Sequence, residues 1–166
     1  VVRKIHLIKE GTESQVVEQN CNVVEKTTQT IDKVTNKVLQ SETTLSGTMP
    51  SYSTTLTHWK ADRTTIPAYD FRNGYPGFVK DEYVNYTRET VNVSIMFNDI
   101  NSSKIDVSRY NFQKEVPYGT QTSITTELSS AVNALEQNGY VVLGQLPQTV
   151  DGVDKTIAIS VNHATR

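Results

Sequence analysis

The side chains able to do chemistry are few and dispersed. Cys21 is the chain's one thiol, and His6, His58 and His163 are its three imidazoles. A thiolate nucleophile needs a base within hydrogen-bond reach, and no short spacing couples Cys21 to a histidine. One thiol cannot close an internal disulfide, so a disulfide-stapled scaffold is excluded and Cys21 reads as a structural thiol. The adjacent carboxylates Asp81 and Glu82 fall in a polar stretch and read as solvated surface rather than as an acid–base pair. Asp99, Asp106, Asp151 and Asp154 have the oxygen chemistry for calcium, but no run has the dense Asp-x-Asp-x-Asp spacing of a calcium loop. No metal and no cofactor is expected. With no nucleophile–base or metal constellation, the chain reads as non-catalytic.

Binding chemistry is better represented. Trp59, Tyr52, Tyr69, Tyr75 and Tyr86 could form a sugar-stacking surface, because an aromatic face packs on the apolar face of a sugar and nearby polar groups read its hydroxyls. The same rings also suit a core. The stretch Lys104 to Phe112 reads as an edge strand. Such an edge either adds a strand from a partner or is protected by its own charges, here Lys104, Asp106 and Arg109. The candidate binding residues are therefore Trp59, Tyr75, Lys104, Asp106, Arg109 and Tyr110.

The composition bounds the elements that must position them. The 166 residues carry 16 basic and 18 acidic side chains, a formal charge of −2. That balance leaves no electrostatic footprint for nucleic acid or an anionic membrane. No apolar run approaches the ~18 residues of a membrane span, and the mean hydropathy is −0.44. The 22 threonines, with abundant Val, Ile and Tyr, point to a strand-rich chain. The chain opens directly on Val1-Val2-Arg3, carries no signal-peptide or wall-sorting pattern, and reads as a segment of something larger.

Val1 to Ile8 reads as a first strand. Val16 to Ile31 is too long for one flat strand, and a break is expected near Asn20-Cys21-Asn22. Asp32 to Lys37 reads as a hairpin loop with Asn36 in the left-handed region, and Val38 to Leu45 as the returning strand. Tyr52 to Trp59 alternates as a further strand. Residues 91–97 alternate cleanly as a half-buried strand, and Lys104 to Phe112 follows as the next. Ile124, Leu128, Ala131, Val132 and Leu135 form one apolar helical stripe, capped by Thr122 or Ser123 and ended by Asn138-Gly139. Tyr140 to Leu143 and Ile157 to Val161 read as the last strands. The expectation is a β-rich α+β chain of two modules in tandem. An elongated, mostly-β module spans 1–88, and a ubiquitin-like β-grasp (ββαββ) module spans 89–166. The junction Asn85 to Glu89 lacks Gly and Pro and reads as a short, stiff linker.

Several of these pieces resemble a known family. Val93-Ser94-Ile95-Met96-Phe97-Asn98-Asp99, the Thr122 to Tyr140 helix ending in Gly-Tyr, and Ile157 to Thr165 resemble the small module of mucus-binding (MucBP-type) repeats. Those repeats occur in surface adhesins of lactobacilli and related Gram-positive bacteria. Arg3-Lys4-Ile5-His6-Leu7, the Asp32 to Val38 hairpin (with Asn36 where the family has Gly), Trp59 and Gly74-Tyr75-Pro76 resemble the larger module in order. The modules here run large then small, which suggests a segment spanning a repeat junction. The resemblance implies a non-catalytic adhesin repeat at the cell-wall-anchored, extracellular surface of a bacterium, a monomer within a tandem-repeat chain. Its implied partners are host mucin glycoproteins and, through the small module, immunoglobulins. A structural spacer that projects a distal binding domain, with no ligand of its own, is the alternative.

Overall fold

The computed structural model describes residues 1–101 and 106–163. The chain divides into two compact units, Val1–Thr87 and Arg88–Arg166.

The first unit contains β1 (Val2–Lys9), β2 (Thr12–Asn20), β3 (Val24–Ile31), β4 (Val38–Ser46), β5 (Thr48–Met49), β6 (Tyr52–Ser53), β7 (Trp59–Ala61), β8 (Thr65–Ile66), β9 (Tyr69–Asp70) and β10 (Asp81–Arg88). A 3₁₀ turn spans Phe71–Asn73. The main sheet has the order β2-β1-β10-β7. Glu10 and Gly11, at φ 51° and 80°, close the β1–β2 hairpin, a two-residue loop that needs both positions in the left-handed region. β10 lies parallel to β1 on its other side. Period-two alternation sends Ile5 and Leu7 of β1 and Val84 and Tyr86 of β10 into one core, with Ile66.

That sheet face is covered by irregular chain rather than by a helix. The segment 48–70 makes two tiny ladders, β5 with β9 and β6 with β8, so most of its backbone needs partners elsewhere. Arg3, 3% exposed, supplies two of them. Its Nη1 donates to the Pro67 carbonyl at 2.8 Å, its Nη2 to the Pro50 carbonyl at 2.6 Å, and its Nε to Gln19 Oε1 at 2.9 Å. Tyr86 Oη donates to the Thr54 carbonyl at 2.6 Å, and Thr54 Oγ1 donates to the Arg63 carbonyl. The strand expected over 52–59 is therefore replaced by the short β6, a turn with His58 at φ 69°, and a bridge between Leu56 and Trp59. Thr54 is drawn inward to satisfy carbonyls, and the alternation breaks there.

The expected break at 20–22 is present: β2 ends at Asn20 and β3 begins at Val24. Cys21 turns inward between them and packs with Met49 and Phe71. β3 and β4 pair only with each other. Asn36 sits at φ 56° in their loop, and Asp32 Oδ1 accepts the Val34 N–H at 2.8 Å.

The second unit contains β11 (Thr90–Asp99), β12 (Phe112–Pro117), β13 (Thr122–Ser123), α1 (Thr125–Gln137), β14 (Tyr140–Val142), β15 (Thr149–Val150) and β16 (Thr156–His163). Its sheet has the order β12-β11-β16-β14, with β11 and β16 parallel. In both units the order is thus second strand, first strand, last strand, then an intermediate one. Here the covering layer is α1. Ile124, Leu128, Val132 and Leu135 form the buried stripe and share one core with Val93, Ile95, Ile159 and Val161; each such side chain contributes about 1.5–3 kcal/mol on burial. Gly139 ends the helix at φ 85°, the left-handed region that favours glycine, and a Cβ there would lie 3.1 Å from His163 Nε2.

Two expectations in this unit are corrected. The edge strand is Phe112–Pro117, not Lys104 to Phe112: Ser108–Tyr110 form a 3₁₀ turn opened by Asp106, whose Oδ1 accepts the Ser108 N–H at 2.8 Å. Lys104 lies outside the described residues. The helix is also not capped conventionally. Ile124 occupies the cap position, Thr122–Ser123 are strand, and Ser123 Oγ accepts the Thr125 N–H at 3.3 Å.

Replacing Arg3 with Leu removes the donor to the Pro67 carbonyl and leaves the Pro50 carbonyl with Gln19 Nε2 alone, at 3.1 Å. The expected cost is about 2–4 kcal/mol, read as a lower urea midpoint for the first unit. Gln19→Ala, which removes the Nε acceptor and the second, exposed donor to the Pro50 carbonyl but keeps the Arg3 donors, is expected to cost about 1 kcal/mol.

Candidate ligand groove

A groove of about 660 Å³ opens at the base of the β3–β4 hairpin. Its position follows from how the chain leaves β4. Gly47 has φ 131°, and a Cβ on it would meet the Asn22 carbonyl oxygen at 2.7 Å, so only glycine lets the two segments run this close. The Phe71 N–H donates to the Gly47 carbonyl at 2.9 Å, which brings the 3₁₀ turn against the hairpin base.

The turn forms one wall. Asp70 Oδ1 accepts the Arg72 N–H at 2.9 Å, and Oδ2 accepts from Arg72 Nε at 2.8 Å and Nη2 at 2.6 Å. This pairing holds the Asp70 carboxyl below its ordinary range, chiefly through the Arg72 side chain, and raises the guanidinium. Gly74 N–H bonds back to Phe71, and Tyr69 Oη donates to the Gly74 carbonyl. Phe71, fully buried, packs on Tyr69 at 5.1 Å, Phe78 at 4.9 Å and Tyr75 at 5.8 Å between centroids. Tyr75 is therefore fixed from beneath while 51% of it stays exposed. The opposite wall is the hairpin base, where Glu25 and the run Thr43 to Ser46 line the groove. An exposed ring facing hydroxyls and a carboxylate is a surface that can stack on a sugar's C–H face and bond its hydroxyls.

The six residues singled out from sequence fall in different places. Tyr75 lines the groove. Trp59 is half-buried against the Ile5–Val84 core, with Lys9 Nζ 4.9 Å from its ring centroid, so packing claims it. Arg109 and Tyr110 come together in the second unit, and Asp106 bonds Ser108 in the same turn. The Arg109 guanidinium lies 4.7 Å over the Tyr110 ring, and Tyr110 Oη accepts from Arg109 Nη2 at 2.5 Å and Asn138 Nδ2 at 2.9 Å. Hydrogen bonding from Ser108 lowers the Asp106 carboxyl. Among the described residues, no group of three or more His, Cys, Asp or Glu is placed to hold a metal; Asp99 and Asp151 each accept a backbone N–H two residues on.

A second polar cluster escaped the sequence reading. His6 Nε2 lies 3.0 Å from Asp81 Oδ1 and Nδ1 lies 3.2 Å from Glu13 Oε2, while Tyr83 stacks on the ring at 4.6 Å. Asp81 and Glu82 are accordingly not free surface charges: Arg63 Nη1 takes Glu82 Oε2 at 2.5 Å, and the Glu82 side chain is largely buried. The cluster ties β1 to β2 and β10 but has no nucleophile. Arg72, Thr43 and Glu25 of the groove were also missed, since they meet Tyr75 only through hairpin closure.

The fold and groove define a β-rich α+β chain with an open groove and one α-helix among the described residues. No protein-family model matches the chain, and no curated protein matches it. Among solved structures it is similar to the MucBP domain of the adhesion protein from Pediococcus pentosaceus. The identity is 24%, covering 53% of this chain and 96% of that one, with a TM-score of 0.31. A likeness at that score decides neither fold nor function.

The His6 cluster has a pH signature. Asp81 hydrogen bonding, then Glu13, raises the His6 pKa above its ordinary 6.5, and His6 in turn lowers Asp81. A raised imidazole pKa stabilises the fold fully below the unfolded value and stops doing so as pH rises through the folded value. The Asp81 contribution runs the other way and fades as pH falls below the ordinary carboxylate range. Urea midpoints of the first unit are expected to decline on the alkaline side of pH 6.5, and His6→Gln is expected to abolish that decline.

Proposed function

We propose that this chain is a non-catalytic segment of a bacterial surface adhesin, and that its ligands are the glycans of mucin glycoproteins. The groove at the hairpin base carries the reading. It pairs an exposed, rigidly backed Tyr75 ring with the polar wall of Glu25 and Thr43, the combination that carbohydrate recognition uses. The resemblance of the chain's motifs to mucus-binding repeats supports the same ligand class, the extracellular wall-anchored setting and the absence of catalysis. We read the first 88 residues as the larger module and residues 89–166 as a β-grasp module. An open site of this kind binds weakly alone and gains from repetition along a chain.

Immunoglobulin is the proposed partner of the second unit. One edge of its sheet is β12, Phe112–Pro117, which follows the turn that carries Asp106, Arg109 and Tyr110. A partner strand added there would be recognised by backbone hydrogen bonds, and the turn would contribute charge.

On a mucin-coated sensor, Tyr75→Ala is expected to weaken binding about five- to tenfold, and Tyr75→Phe to preserve it. A tandem array is expected to bind far more tightly than one copy. Arg109→Glu is expected to weaken immunoglobulin binding and leave mucin binding unchanged. Absence of both activities, even in an array, would favour the spacer.

A further inference from the structure

The hairpin above the groove sorts its side chains by parity. Opposed residues of an antiparallel pair share a face. Glu25 opposes Leu45, Thr27 opposes Thr43 and Gln29 opposes Ser41, so these six form one face, continuous with the groove. Thr27 Oγ1 and Thr43 Oγ1 lie 3.2 Å apart. Lys26 and Glu42 fall on the other face, opposing Thr44 and Thr28; only at the hairpin base does that face also reach the groove, through Thr44 and Ser46. From Glu25 to Gln29 the groove-side face extends ~13 Å and offers hydroxyls and amides.

Its electrostatics are one-sided. Among the described residues that line the groove, Glu25 is the anion and Arg72 the cation. Arg72 Nε and Nη2 bond Asp70, so the pair as a whole carries no net charge. A second anion brought here would meet Glu25, with the Arg72 charge balanced by Asp70 and no net positive charge left in the lining.

We propose that the groove and the adjoining hairpin face take an uncharged oligosaccharide and disfavour sialylated or sulfated ones. The inference rests on the glycan-binding reading and adds the ligand's charge class. Tyr75 stacks on a neutral sugar ring at the groove, while Thr27, Thr43, Gln29 and Ser41 bond the hydroxyls of the units that follow. Neutral hydroxyl and amide partners recognise geometry without attracting acidic chains, so specificity comes from excluding charge as well as from contact.

The test compares one purified mucin before and after sialidase treatment and desulfation, each against the wild-type chain and Glu25→Gln. Removing the acidic groups is expected to strengthen wild-type binding about fivefold. Glu25→Gln is expected to narrow that difference, as is raised salt on the untreated mucin, because both weaken the repulsion. Tyr75→Ala is expected to weaken binding to both mucins. Binding that falls after sialidase or desulfation, or that does not change, overturns the charge assignment and leaves the glycan-binding reading standing. No binding to either form overturns both.

Discussion

Each unit is organised around a parallel pairing of its first and last strands, β1 with β10 and β11 with β16. Parallel neighbours cannot be joined by a hairpin, so the chain between them must cross over a face of the sheet, and that crossover becomes the second layer of the core. The two units share a strand order and differ in what they lay across it. The second uses α1, which satisfies its own backbone and presents a ready apolar stripe. The first uses irregular chain, which brings many carbonyls and few internal bonds. A buried guanidinium is costly unless its donors are paired. Arg3 is tolerated because the Pro50 and Pro67 carbonyls need what it donates. Tyr86 and Thr54 serve the same layer at its other side.

The irregular layer also explains why the first unit has two small cores. The sheet core is closed by Ile66, Tyr52 and Trp59, whereas Cys21, Met49 and Phe71 gather separately where the hairpin enters. A two-stranded ribbon is marginal in water alone. β3 and β4 are therefore anchored at one end, through Val23 and Leu45 on that second core, and stand clear along the rest of their length. Phe71 belongs to this anchor and also supports Tyr75. The packing that stabilises the hairpin thus holds the exposed ring of the groove in place.

The elements legible in sequence were those whose signal is local. Alternation over 91–97 and 157–161, the helical stripe from Ile124 to Leu135, the left-handed Asn36 and the interruption around Cys21 each depend on neighbours within one turn or one strand. What was illegible depends on register across the sheet. Asp81 looks solvated until β10 aligns beside β1 and sets it against His6. The stretch ending at Phe112 changes parity between Val107 and Tyr110, which suits a strand bulged near Ser108, but Asp106 accepts the Ser108 N–H and turns the chain instead. Trp59 and Tyr75 are equally plausible binding rings in sequence; they separate only because one is packed on a core and the other rests above it. Tyr75 was therefore legible as a candidate, and its groove was not.

The threonine content takes on a specific meaning in this setting. A ribbon without a covering layer needs residues that favour extended backbone but do not drive aggregation. Thr meets both requirements, since its branched side chain suits the pleat and its hydroxyl remains soluble. Apolar branched residues along both faces would give equal strand propensity and an adhesive ribbon. In β3 and β4 the exposed apolar side chains sit at the ends, Val24 at the base and Ile31, Val38 and Leu39 beside the loop's Val34 at the tip, and the middle is left to Thr, Gln and Ser with single charges. The same choice that keeps an uncovered ribbon soluble lines it with hydroxyls and amides. Solubility and a polar recognition surface are thus one consequence of leaving the hairpin without a second layer.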